Sequence, residues 1–291
     1  MALICGLASL PGESAPPAFT LAFGGDVMLG RGVARTLAGK WPAAFARVAR
    51  PLAEADLAFA NLESPLTTAP QASNGHDLRA IPSAISALSA AGFDIVSLSN
   101  NHALDAGKAG LMETIATLDL AGITGVTNRT AGQLASRTPH STLRYQLLAF
   151  DDSVNPLDVE AAARSVAAAR QADLVIVSLH WGGEYQAAPS LRQRSIAQSL
   201  ARAGADLIIG HGPHVLQPVE RMGKALVAYS LGNLLFDQLY PDDCHWGVIL
   251  RVTLTTRGNM RTDLLPIVGE NGQARFASPG EAHAILERLS P

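Results

Sequence analysis

Cysteine is nearly absent, with Cys5 and Cys244 the only two among 291 residues. Two thiols cannot build a disulfide framework, and a chain long enough for a sizeable core does not need a staple. Aromatic residues make up only 5%, which gives no sign of the stacking platform a long glycan groove would use. Positive charge is sparse and dispersed: 22 basic against 25 acidic residues leave a formal charge of -3, with no basic run to follow a phosphate backbone. Nucleic acid is therefore not an expected partner. No apolar run approaches the roughly 18 residues of a membrane-spanning helix, so no transmembrane span is expected. Residues 1–10 are apolar but lack a basic start and run into Pro11-Gly12-Glu13-Ser14-Ala15-Pro16-Pro17. Residues 1–17 are expected to be a lead-in, and no convincing signal peptide fixes the compartment, cytoplasm or cell envelope.

What the chain does have is apolar surface to bury, with 48% hydrophobic residues. Apolar runs of strand length alternate with stretches of helical period, the pattern of an α/β fold, expected as one domain over residues 18–291. Strands are expected at Phe19 to Gly24, Leu57 to Ala60, Ile95 to Leu98, Ile123 to Thr127, Arg144 to Phe150, Leu174 to Leu179, Leu207 to Ile209, Ala225 to Ser230, Val248 to Thr255 and Arg261 to Val268. Helices are expected at Pro42 to Glu54, Ser83 to Ala91, Gly110 to Ala121, Val159 to Gln171, Ser190 to Ala203 and Gly280 to Leu289, several stopped by Gly. The exits Ala90-Ala91-Gly92-Phe93-Asp94 and Arg202-Ala203-Gly204-Ala205-Asp206 share one connection type. From about Lys224 the chain changes to strands joined by short turns, with Arg257-Gly258-Asn259 as a hairpin signal, so a second, largely antiparallel sheet is expected there.

Polar residues gather where the apolar runs end, the position at which α/β proteins place their chemistry. Asp26 follows Gly24-Gly25 and suits either a hard oxygen ligand or the N-cap of a helix starting near Val27. Asn61 and Glu63 lie two apart and would share a side if their strand continues, as ligands or as acceptors of turn amides. In Asn100-Asn101-His102, an Asn carbonyl can ligate a cation, His102 can move a proton, and Asp105 can orient its imidazole. His180 ends a strand and is either a ligand or a core histidine. His211 and His214, spaced by Gly212-Pro213, form a His-x-x-His turn suited to a metal. Asn233 is a further strand-end Asn, favoured for the turn. Four of the eight histidines fall at these exits, so the joint pattern points to one composite site, with a metal the leading occupant.

Six segments resemble the bacterial CapA family, named for capsule and poly-γ-glutamate synthesis. They are Gly24 to Arg31 (GGDVMLGR), Ala55 to Thr67, Ala91 to Gly107, His180 to Tyr185 (HWGGEY), Ala203 to Glu220 and Tyr229 to Asp237 (YSLGNLLFD). The resemblance implies a four-layer α-β-β-α sandwich similar to calcineurin-like metallophosphoesterases. It implies Asp26, Glu63, Asn101, His180, His211 and His214 as ligands of one or two divalent ions (Mn, Fe or Zn). His102 would be the proton donor, with Asp105 its partner and Asp26 in the catalytic set. Asn61, Trp181, Glu184, Tyr185 and Asn233 would line the substrate side. The chain departs from ordinary metallophosphoesterases at three places. Met28 stands where Asp-x-His has its His, Asn61-Leu62-Glu63 replaces Gly-Asp-x-x-Asp, and Gly-His-Gly-Pro-His is one residue longer than Gly-His-x-His.

Three functions follow as alternatives. The leading one is a metal-dependent hydrolase of a phosphoester or γ-glutamyl amide. The second is a metal-independent acid/base enzyme, an amide hydrolase or isomerase acting on a peptide-like substrate. The third is a non-catalytic accessory in polymer export. The partners expected are an anionic polymer or a small phosphorylated or peptidic substrate, and cell-envelope export proteins.

Overall fold

The computed structural model describes residues 18–72, 75–127, 132–135, 143–238, 240–255 and 260–290, with 132–135 as backbone alone. Cys5, the lead-in and the Arg257-Gly258-Asn259 turn lie outside the described residues. The chain lays down β1 (Ala18–Val27), β2 (Leu57–Leu62), β3 (Ile95–Ser97) and β4 (Thr124–Val126) in one sheet. It then builds a second sheet from β5 (Gly132–Ala135), β6 (Arg144–Asp151), β7 (Leu174–His180), β8 (Leu207–His211), β9 (Leu216–Met222) and β10 (Ala225–Leu231). Finally it returns to the first with β11 (Asn233–Leu235), β12 (Trp246–Thr255), β13 (Met260–Glu270) and β14 (Gln273–Phe276). The spatial order is β14-β13-β12-β1-β2-β3-β4, with β11 beside β1, facing β5-β6-β7-β8-β10-β9.

The antiparallel strands near the C-terminus therefore do not form a sheet of their own. β12 pairs antiparallel with β1, and so extends the first sheet. β10 joins the second sheet, parallel to β8. The strand pattern alone could not assign this, because a strand is equally satisfied by either edge that needs hydrogen bonds.

Side chains alternate across each strand, and here the two parities go to different cores. Leu21, Phe23, Leu57, Phe59 and Ile95 of the first sheet meet Leu147, Leu174, Ile176, Leu207, Ile209 and Ala228 of the second between the sheets. Ala22, Ala58, Ala60 and Val96 face outward onto helices α1 (Arg31–Leu37), α2 (Ala49–Ala53), α3 (Ile85–Ala91) and α4 (Gly107–Leu120). Val175, Val177, Leu179 and Ile208 face α5 (Val159–Ala169) and α6 (Leu191–Ala203). The result is a four-layer α-β-β-α sandwich. A last helix, α7 (Pro279–Arg288), inserts Ile285 into the inter-sheet core at its margin.

Local chemistry explains most element ends. Ser190 with Gln193, and Ser278 with Glu281, close reciprocal capping boxes at the starts of α6 and α7. Gly92 and Gly204 end α3 and α6 in the left-handed conformation. The shared exits then place Asp94 to accept the Ala58 N–H and Asp206 to accept the Val175 N–H, each pinning the start of a neighbouring strand. The expected helix Pro42 to Glu54 is broken into a 3-10 turn, Trp41–Ala44, and the short α2. α1, β5, β9, β11 and β14 were not expected from the pattern. Among the described residues no helix is long and apolar enough to cross a membrane.

Phe23 is fully buried between the sheets and meets Phe59 edge-on at 6.0 Å between ring centroids. Phe23→Ala is expected to lower the unfolding free energy by about 3–5 kcal/mol, measured by urea denaturation. A loss below about 1 kcal/mol would contradict a tightly packed inter-sheet core.

Candidate metal centre

The inner parity that carries the apolar core turns polar at the C-terminal ends of the strands. Leu57 and Phe59 are followed on the same side by Asn61, Leu174 and Ile176 by His180, and Leu207 and Ile209 by His211. β1 needs a correction of phase, since Leu21 and Phe23 are odd-numbered and Asp26 is even. Its register against β2 shifts between Phe23 and Asp26, and such an irregularity re-aims a side chain. Gly25 permits it, because a Cβ there would lie 1.9 Å from the Gly232 carbonyl oxygen. Asp26 is thus within β1 and caps no helix; α1 begins at Arg31, with Gly30 at its N-cap.

Two cross-strand rows then face each other. Asn61 and Asn233 flank Asp26 in register on the first sheet, and His180 pairs with His211 on the second. Asp26, Asn61 and Glu63 have no solvent exposure, and His180, His211, His214 and Asn233 are buried. The Asn61 amide donates to Asp26 Oδ1 and to Glu63 Oε1, both at 2.9 Å. Its nitrogen lies 3.3 Å from His180 Nδ1. Gly212, at φ +104, donates its N–H to Asp26 Oδ2 at 3.1 Å and packs against the His180 ring. His214 Nδ1 reaches Asn233 Oδ1 at 3.0 Å and Asp26 Oδ2 at 3.2 Å, while its Nε2 lies 3.8 Å from Glu63 Oε2.

Burial alone would raise the Asp26 carboxyl, but the His211 and His214 imidazoles on it hold it well below the usual carboxylate range. Burial drives Glu63 the other way, well above its ordinary value, with the Asp26 charge adding to the rise and His214 opposing it. Burial also opposes charge on His214, yet the Glu63 and Asp26 carboxylates outweigh it and push the imidazole up to about 9. His180, whose burial is not offset in this way, is pushed down to about 3 and is neutral, as a ligand must be.

Donor atoms of Asp26, Glu63 and His180 all lie within 4.8 Å of one another, which fits a single divalent cation. Glu63 Oε2 and His211 Nε2 are buried with no hydrogen-bond partner, and His211 Nδ1 has only the Asp26 carboxylate, 3.4 Å away and outside hydrogen-bond geometry. Unsatisfied buried groups of this kind are costly, and a cation would satisfy them. Met28 is fully buried, and its sulfur accepts the Gly30 N–H, so the position that carries a His in Asp-x-His points into the outer core.

The remaining candidates divide. Asn101 is exposed, with its amide 3.2 Å from His102 Nε2. The inward position belongs to Asn100, which donates to Asn61 Oδ1 at 3.0 Å and to the Leu62 carbonyl at 2.9 Å. β3 ends at Ser97, so strand parity could not tell the two asparagines apart. His102 is tied to the network by its N–H to Asn100 Oδ1, and its Nδ1 lies 3.1 Å from Asp105 Oδ2. Trp181 is fully buried, stacks on Tyr229 and donates to the Tyr229 carbonyl, which makes it part of the outer core and not of a substrate surface. Glu184 and Tyr185 are exposed, with the Tyr185 ring 6.4 Å from His214.

Residues 20–238 match the family described as Bacterial capsule synthesis protein PGA_cap. The chain belongs to this family. Within it, the chain is 32% identical over 239 residues to the PGA biosynthesis protein CapA of Bacillus subtilis (strain 168), a match covering 74% of this chain and 63% of that protein. It is 29% identical over 289 residues to the capsule biosynthesis protein CapA of Bacillus anthracis, covering 88% of this chain and 69% of that protein. The match to the first of these relatives thus spans less than two thirds of its length. In fold, the chain resembles the crystal structure of a phosphatase from Mycoplasma pneumoniae, with a TM-score of 0.61 at 13% identity over 92% of this chain and 98% of that one. The likeness shows that the two chains share the α-β-β-α sandwich fold.

Two outcomes are expected from this geometry. Asn61→Asp brings a third carboxylate against Asp26 and Glu63, and is expected to destabilise the metal-free protein by about 2–4 kcal/mol. The loss should shrink on adding Mn or Zn, and equal denaturation curves with and without cation would contradict it. Because His214 keeps its proton below about pH 9, a cation binding it must displace that proton, and the raised Glu63 carboxyl acts in the same direction. Affinity should therefore rise with pH toward about 9 and then level off, with protons released at pH 7 in titration calorimetry across buffers of different ionisation enthalpy. A flat affinity over that range would rule out His214 as a ligand.

Proposed function

We propose that this chain is a metal-dependent hydrolase of capsule or poly-γ-glutamate metabolism, acting on a phosphoester or a γ-glutamyl amide. The observation that carries it is the buried cluster of Asp26, Glu63 and His180 donors, with Glu63 Oε2 making no hydrogen bond and the His211 ring nitrogens meeting only the Asp26 carboxylate, at 3.4 Å. Asp26, Glu63, His180, His211 and His214 would hold one divalent ion, Mn, Fe or Zn, and a second only if further groups move in. An ion there would supply Lewis acidity to an attacking water and to the electrophilic centre.

The protein's own groups do the rest. The Asn100 to Asn61 amide chain fixes the two carboxylates by consecutive hydrogen bonds. Asp105 takes the Nδ1 proton of His102 in a hydrogen bond and itself accepts the Leu78 N–H, so the imidazole is held to a loop on the far side. That tautomer leaves His102 Nε2 as the atom that takes up and delivers a proton to the leaving group. The names of the Bacillus relatives, PGA and capsule biosynthesis, support an anionic polymer or its precursors as substrate. Envelope export proteins are the partners proposed with it.

One observation favours a second reading, the metal-independent acid/base enzyme. The buried Asn233, His214 and Asp26 chain is a charged imidazole on a carboxylate that needs no ion. Elemental mass spectrometry on tag-free protein decides between them. About one equivalent of metal per chain, lost in His180→Ala and His211→Ala, is expected. His102→Ala should keep the metal and lose about 100- to 10,000-fold in turnover. Full turnover in chelated, metal-free protein would overturn the hydrolase proposal and select the second reading.

A further inference from the structure

The described non-glycine residues with positive φ are Arg31, Ala38, Tyr185, His214 and Asn271. Three of them, Arg31 at +44°, Tyr185 at +64° and His214 at +59°, are joined by side-chain contacts at one side of the metal centre. The Phe236 ring lies 4.8 Å from His214 and 5.9 Å from the Arg31 guanidinium carbon. Tyr185 completes the group, its ring 6.4 Å from that of His214. Non-glycine residues in this conformation are strained, and strain that persists collects at functional sites.

Arg31 is also held in a fixed plane. Its Nε donates to Asp237 Oδ2 at 3.2 Å and its Nη2 donates to Asp237 Oδ1, while the Gly32 N–H donates to the same carboxylate at 2.8 Å. The Nη1 edge has no hydrogen-bond partner among the described residues, and the side chain is 32% exposed. A partly exposed ion pair contributes little stability and does not account for a strained backbone. The titratable groups around it are the carboxyls of Asp26, Glu63 and Glu184 and the charged imidazole of His214, so a guanidinium fixed at the rim adds a directional cation for an anionic substrate. Guanidinium is suited to that, because its donors match the two coplanar oxygens of a carboxylate or phosphoryl group.

We infer that Arg31 is a specificity-determining residue of this site, offering its Nη1 edge to an oxyanion group carried by the substrate beside the bond that is cut. The inference rests on the hydrolase proposal for the identity of the site, and it specifies the substrate's charge. Asp237 acts as the positioning residue, since it touches the guanidinium and not the substrate.

The test is titration calorimetry of metal-loaded protein with two probes, inorganic phosphate and an oligomer of γ-linked glutamate, on the unchanged chain and on Arg31→Met, Arg31→Lys and Arg31→Gly. Metal content and melting temperature are measured in parallel. Loss of one charge-assisted contact should weaken binding of one or both probes about 10- to 100-fold in Arg31→Met, with partial recovery in Arg31→Lys. The probe affected identifies the source of the oxyanion, carboxylate or phosphoryl. Arg31→Gly relieves the positive φ, so its melting temperature should hold or rise while binding falls, a combination that a purely structural Arg31 would not give. Metal content should not change in any of the three. Equal affinities in all variants, or no binding of either probe to the unchanged chain, would overturn the inference. Absence of metal from the unchanged chain would instead overturn the hydrolase proposal, and Arg31-dependent probe binding would survive it.

Discussion

Two carboxylates with no access to water, Asp26 and Glu63, are the constraint around which the site is built. Burying ionisable groups costs several kcal/mol each unless neighbours compensate, and the compensation is visible atom by atom. Asp26 stays charged because a backbone N–H, the Asn61 amide and two imidazoles converge on it. Glu63, just beyond the end of the neighbouring β2, has fewer partners and one oxygen that makes no hydrogen bond. That imbalance is tolerable in a protein that meets a cation there and costly in one that does not. It is why the geometry favours a metal centre over a histidine-rich core.

The sandwich makes such a cluster possible. The central strands of each sheet are buried on both faces, so their side chains are held by packing on either side, and each inner row is fixed by the apolar residues preceding it. The polar positions come at the ends of the same rows, just beyond Phe59, Ile176 and Ile209. Facing rows from two sheets then bring together residues as far apart in sequence as Asp26 and Gly212. Loops add what strands cannot: His102 and Asp105 follow β3, and His214 is held in a left-handed conformation beyond β8.

Much of this was legible in the residues. The alternation of buried strands and helices with Gly stops gave the α/β class and most element positions, because period-two and helical patterns reflect burial directly. Asp26, Glu63, His180, His211 and His214 stood out through their places at the ends of apolar runs, and the structure brings all five together. Less visible were choices that turn on neighbours. Asn100 and Asn101 are chemically identical, and only the turn after β3 decides which faces inward. Trp181 sits in the sequence beside His180, but the alternation of side chains sends it to the opposite face, where it stacks on Tyr229. Arg31 and Asp237 lie 206 positions apart, and no spacing rule links them.

The sequence by itself determined the fold class, the strand ends that carry chemistry and, through its segments, the family. Those are properties of local pattern, set by which side chains must leave water and which backbone groups need a partner within a few residues. Only the tertiary structure decided that the C-terminal strands extend the first sheet, that a phase shift at Gly24-Gly25 turns Asp26 inward, and that one oxygen of Glu63 is left unsatisfied. Each of these depends on the partner across a sheet or between sheets. A hydrogen-bonding edge or a buried carboxylate is defined by what surrounds it in space, and that is fixed only once the two sheets have packed.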